Sequence, residues 1–68
     1  MTKVSREQFW ARIMGETKLD IVSRIAPGPY PYTSVFELRD RTPVGRIVAE
    51  AIDAATVRET YYLAEVAP

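Results

Sequence analysis

The residue types best suited to chemistry in this chain are carboxylates. Glu50 and Asp53 stand three apart, neighbours if that stretch is helical, and Glu37 and Asp40 flank a strand end. Paired carboxylates can hold Mg²⁺ or divide the roles of acid and base. Neither pair sits in an EF-hand loop or another cation-fixing spacing, so a solvated face is the expected role. The other candidates are fewer. The chain has no histidine and no cysteine, which removes the usual neutral-pH acid/base, the thiolate nucleophile and the common zinc ligands. Lys18 would need a desolvated pocket that so small a domain can hardly enclose. Ser23 and Ser34 lack a G-x-S-x-G frame, and Gly15-Glu16-Thr17-Lys18 is not a phosphate loop. The expectation is a protein without catalytic groups, cofactor or metal.

Recognition is better provided for. Tyr30 and Tyr32 alternate with Pro29 and Pro31, so an extended loop would project both rings the same way from a stiff backbone. Tyr and Arg are the favoured anchors of protein interfaces, and a pre-stiffened loop loses little entropy on binding. Arg39, Arg41 and Arg46 surround one turn. Tyr30, Tyr32, Arg39, Arg41 and Arg46 are therefore the candidate partner-binding residues. Two bland alternatives stand beside them: tyrosines folded back over the edge of a small core, and arginines that guard a hairpin against aggregation.

The elements that must position these residues begin with a helix. Ser5 and Gln8 form a capping box, and Val4 with Phe9 makes the matching hydrophobic staple. Phe9, Trp10, Ile13 and Met14 follow on one face, with Trp10 expected in the core, and Gly15 ends the run. A helix over 6–14 is too short to stand alone and must dock on apolar surface. Ile21, Val22 and Ile25 mark a strand over 19–25. Three prolines and a glycine make 26–31 a loop of polyproline character. Residues 33–39 form the best strand, with Phe36 and Leu38 on one face, and 40–43 a turn. Thr60, Tyr61, Tyr62, Leu63 and Val66 give another strand, with Tyr61 and Tyr62 on opposite faces.

Residues 44–57 satisfy two templates. Val44, Ile47, Val48, Ala51, Ile52 and Ala55 match a helical stripe, which Thr42 would cap. Yet Val44, Ile47 and Val48 are β-branched, and Gly45 would cost a helix about 1 kcal/mol. The reading adopted is a strand over 44–50 returning against 33–39, then a turn near 53–57, with a second helix as the alternative. Either way the class is α+β: one domain, 1–68, with the N-terminal helix packed on an antiparallel sheet of three or four strands.

Sixty-eight residues, 47% hydrophobic and 26% charged, describe an ordinary folding composition. A chain this short buries only about 60% of its unfolded surface, so self-association as a homodimer is expected. Net charge is zero, and there is no long apolar run, so a membrane segment is not expected and the cytoplasm is. No stretch carries the motif of a known family. The expected function is a small protein-binding factor, an inhibitor or adaptor that occupies a surface of a larger complex. Small proteins of this type are frequent in phages and mobile elements, anti-CRISPR inhibitors among them. The alternative is a nucleic-acid-binding or transcription-related module that uses the arginine turn and the tyrosines. Against it stand the neutral balance and the acids Glu37 and Asp40 among the arginines.

Overall fold

The helix and its cap form as the sequence dictates. In the computed structural model, which describes residues 1–25 and 30–64, α1 runs Arg6–Met14. The Ser5 hydroxyl accepts from the Gln8 N–H at 3.1 Å, and Gln8 Oε1 accepts from the Ser5 N–H at 3.0 Å. These bonds satisfy helix-end donors that the helix itself cannot. Gly15 closes the helix, donating its N–H to the Ile13 carbonyl.

Five strands complete the domain, one or two more than expected: β1 Thr2–Val4, β2 Leu19–Ile25, β3 Tyr32–Leu38, β4 Pro43–Ala51 and β5 Val57–Leu63. All pairs are antiparallel, in the order β1-β5-β4-β3-β2. The extra strand is β1, whose three residues are too short a run to show periodicity. Residues 26–29 of the proline-rich loop and the Val66 end of the last expected strand lie outside the described residues.

The ambiguous stretch is a strand and a turn. β4 extends to Ala51, and Asp53 organises the turn into β5 by accepting from the N–H groups of Ala55 and Thr56, each at 2.8 Å. The alternative helix is absent, and Val57 opens β5. The register explains the helix-like spacing. Phe36 pairs with Gly45 but Glu37 with Pro43, so Val44 is an extra residue that resets the alternation. Val44 and Ile47, three apart, therefore both reach the same apolar core.

The core lies between α1 and one sheet face. Phe9, Ile13, Phe36, Val44 and Tyr61 are buried, with Val4, Leu19, Leu38, Ile47 and Leu63 packed against them. Phe9 is the centre: its ring lies 5.2 Å from Trp10, 5.2 Å from Phe36 and 5.4 Å from Tyr61, in edge or tilted contacts. Trp10 is not a full core member, since its outer side remains 36% exposed, and Met14 points away at 81%. The helix packs on β4 and β5, and Trp10 reaches over Phe36 of β3 with its outer side left open. Among the described residues no helix is long and apolar enough to cross a membrane.

Candidate functional site

The strand alternation sorts the candidate residues between two faces. Phe36, Ile47, Tyr61 and Leu63 turn toward α1. The cross-strand row Lys3, Tyr62, Arg46, Val35 and Val22 runs across all five strands on the opposite face. Below it the register sets Asp20 against Glu37, and above it Thr60, Val48 and Thr33 in line, then Glu50 against Arg58. No described helix covers this face.

Arg46 sits at its centre. Its guanidinium lies 5.1 Å from the centroid of the Tyr62 ring, a cation–π contact worth about 0.5–1 kcal/mol at an exposed site. Tyr62 is half-buried while Arg46 is exposed, so the ring seats the cation and leaves its outer side to solvent. Tyr61 and Tyr62 do occupy opposite faces. Tyr61 is buried, and its hydroxyl donates to Glu59. That bond, then burial, raises its pKa above the ordinary 10.0.

Arg39 and Arg41 lie at one end of the same face. The turn between β3 and β4 is closed by three hydrogen bonds: Leu38 N–H to the Thr42 carbonyl at 2.9 Å, Arg41 N–H to the Leu38 carbonyl at 2.8 Å, and Thr42 N–H to Asp40 Oδ1 at 3.0 Å. Arg41 takes φ 69° there, a left-handed conformation unusual for a residue with a side chain. Both arginines line a shallow open hollow of about 520 Å³ with Asp20, Val22, Glu37 and Leu38. It offers two cations and two carboxylates.

Tyr30 and Tyr32 stand elsewhere. Their rings pack on each other, centroids 4.7 Å apart at 66°, and both are half-buried. Tyr32 opens β3 and Leu38 ends it, so six residue steps, about 20 Å, separate the tyrosine pair from the arginine turn. The five candidates thus form three groups: the tyrosine pair at one end of the sheet, the arginine turn at the other, and Arg46 between. Sequence reasoning missed Tyr62 as the seat of Arg46, along with Lys3, Val22 and Asp20. Only strand register brings these together, although alternation along each strand does assign their face.

Three of the four carboxylates that opened the chemical reading have structural partners. Glu50 pairs with Arg58, whose Nε donates at 3.0 Å. Asp53 and Asp40 bind turn amides, which hold both carboxyls below their ordinary 3.8. For Asp53 the Ala55 N–H is the first cause, and for Asp40 the Thr42 side chain is. Among the described residues no group of three or more acidic, histidine or cysteine side chains is gathered to hold a metal ion. Compared with protein-family models, with curated proteins and with solved structures, the chain matches none of them.

Proposed function

We propose that this protein is a non-catalytic binding factor, an inhibitor or adaptor, that presses the open face of its sheet against a larger protein. The observation that carries the reading is Arg46 laid over Tyr62 in the middle of that face. An arginine already seated on an aromatic ring loses less freedom on docking, and Tyr and Arg are the side chains on which interfaces concentrate their energy. Around it lie Val22, Val35 and Val48, flanked by charges of both signs: Lys3, Arg39 and Arg41 against Asp20 and Glu37. A mixed rim around an apolar and aromatic centre suits a protein surface. Arg39 and Arg41 serve as rim contacts in this reading. The Tyr30–Tyr32 pair, distant from them, contributes to a second contact or to local packing.

The test is capture from the native host's lysate on the tagged chain, with and without nuclease. A stoichiometric protein partner that survives nuclease and is lost with Arg46→Glu is expected. Retention of that partner by both Arg46→Glu and Tyr62→Ala would refute the docking face. The same Arg–Tyr stack, extended by Lys3 and the arginine turn, also offers a cationic and aromatic surface to single-stranded nucleic acid. That second reading requires capture to collapse with nuclease and affinity to fall steeply with salt.

A further inference from the structure

The two edges of the sheet differ in character. β1 is three residues long, whereas β2 runs seven, and no described element pairs with its outer side. Long free edges are ordinarily shortened, bulged, interrupted by proline or given charged side chains, and of these devices β2 has only the charges, Asp20 and Arg24. β2 contains no proline, and its ladder to β3 runs from Leu19 to Ile25 without a register shift.

One hydrogen bond fixes which backbone groups that edge presents. The Arg39 N–H donates to the Lys18 carbonyl at 2.9 Å, bracketing the Leu19–Leu38 pair. That is the pattern of a non-hydrogen-bonded antiparallel pair. Residues 18, 20, 22 and 24 therefore direct their N–H and C=O groups to β3. The groups of 19, 21, 23 and 25 point to the open edge.

We propose that this edge pairs with the same edge of a second copy, antiparallel about a two-fold axis at Val22, making one continuous sheet from two. A two-fold normal to the sheet keeps both helices on one side and pairs only residues of the same face. Sequence then selects among the registers so allowed. An axis at Ile21 sets Lys18 opposite Arg24, two like charges. An axis at Ser23 sets Val22 opposite Arg24 and carries Asp20 past the end of the strand. The axis at Val22 sets Val22 opposite itself, Leu19 opposite Ile25 and the acidic residue 20 opposite the basic residue 24, twice by symmetry. The charged positions fall in non-hydrogen-bonded pairs, where facing Cα atoms come closest.

The surface beside the seam supports the same partner. Ile21 is 64% exposed on the helix side of β2. It pairs with Phe36, whose ring centroid lies 6.0 Å from that of Trp10. Trp10, partly exposed, borders the same apolar strip, which a second copy extends across the seam. The interface uses the strand edge and stands whether or not the open face binds another protein.

The test is the molar mass of the full chain by light scattering after gel filtration, with sedimentation equilibrium to give the dissociation constant. A mass twice the 7.7 kDa of one chain is expected. Asp20→Arg or Arg24→Asp alone should raise the dissociation constant about tenfold or more, since each turns two attractive cross-strand pairs into repulsive ones. The two changes together should restore the dimer. Within one copy the register sets position 20 against Glu37 and position 24 against Thr33, so neither change opposes like charges across β3; far-ultraviolet circular dichroism checks the fold. A chain that stays monomeric into the submillimolar range overturns the proposal. So does a dimer that ignores both single changes, or one that the double change fails to restore.

Discussion

Gly45→Ala is the substitution on which the packing argument is most exposed. Gly45 lies in β4 beneath the buried ring of Phe9. A Cβ built there would stand 2.8 Å from Phe9 Cε2, 2.8 Å from the Tyr62 carbonyl oxygen and 3.1 Å from Leu63 Cδ2. The first neighbour is held by three other rings, and the second is backbone of the paired strand, so neither yields cheaply. Forcing a methyl group into such a site costs about 1–3 kcal/mol, while the loss of glycine's freedom in the unfolded chain returns roughly 0.4–1 kcal/mol. The net is a loss of about 1–2 kcal/mol. For a domain of this size each kcal/mol moves the midpoint by roughly 4–8 °C, so Tm should fall by about 5–15 °C. Urea unfolding followed by Trp10 fluorescence reads the change, because that indole packs edge-on against Phe9 and Phe36. Gly15→Ala is the internal control. Its Cβ would meet only ordinary contacts at 3.6 and 3.7 Å, so stability should hold or rise. Pairing Gly45→Ala with Phe9→Leu removes one clash and should give less than additive loss. A Gly45→Ala chain as stable as the parent would refute the close approach of Phe9 to β4.

Two further perturbations test the turns and the ionisable groups. Arg41→Gly relieves a left-handed residue and should stabilise by up to about 1 kcal/mol in urea, the strain relief exceeding glycine's entropy cost; a loss would mean that the Arg41 side chain stabilises the turn. Asp40 and Asp53 have carboxyl pKa values lowered from 3.8 by turn hydrogen bonds, so the folded state binds fewer protons than the unfolded one. Their contribution is complete above 3.8 and is lost as pH falls through the lowered values. Tyr61 has the opposite sign: raised above 10.0, it contributes below that pH and loses its contribution as pH rises through the raised value. Thermal midpoints should therefore decline at both ends, and Asp53→Asn should flatten the acid limb. An acid limb identical in Asp40→Asn, Asp53→Asn and the parent would show that these turns do not couple to protonation.

The cap and the helix were legible because their signals are local. Ser5, Gln8, Val4 and Phe9 act within one turn, and nothing distant revises them. β3 and the opposed Tyr61 and Tyr62 were legible for the same reason, since alternation is a property of adjacent residues. The harder stretch, 44–57, imitated a helix through a bulge: with Val44 inserted, Val44 and Ile47 share a face at three-residue spacing. Gly45 carried the missing hint, because a glycine inside a strand often marks a bulge or a close approach, and here it marks both. The candidate site was harder still. Arg46 meets Tyr62, and Asp20 meets Glu37, through registers between strands that no single window contains. Trp10 and Met14 belong to the helical stripe, but which half of a stripe is covered depends on where the helix lands on the sheet.

That landing point follows from dimensions. A nine-residue helix is about 13.5 Å long and about 10 Å across, whereas five strands at about 4.8 Å spacing span about 19 Å between outer members. One such helix spans only part of that width: it packs on β4 and β5, and its Phe9 and Trp10 rings reach Phe36 of β3. The part of the helix side around Ile21, the long β2 edge and the whole opposite face are left over by geometry rather than by composition. The leftover surfaces differ in chemistry. The edge carries the exposed Ile21 beside Phe36 and a strand whose charges complement their own reversal about Val22, which suits an identical partner. The opposite face carries Arg46 on Tyr62 amid mixed charges with no such self-complementarity, which suits a different one. A sheet too wide for its helix thus has room for both associations at once, and substitutions at positions 24 and 46 separate them: Arg24→Asp should weaken the pairing of two copies and leave capture of the other partner unchanged, and Arg46→Glu should do the reverse.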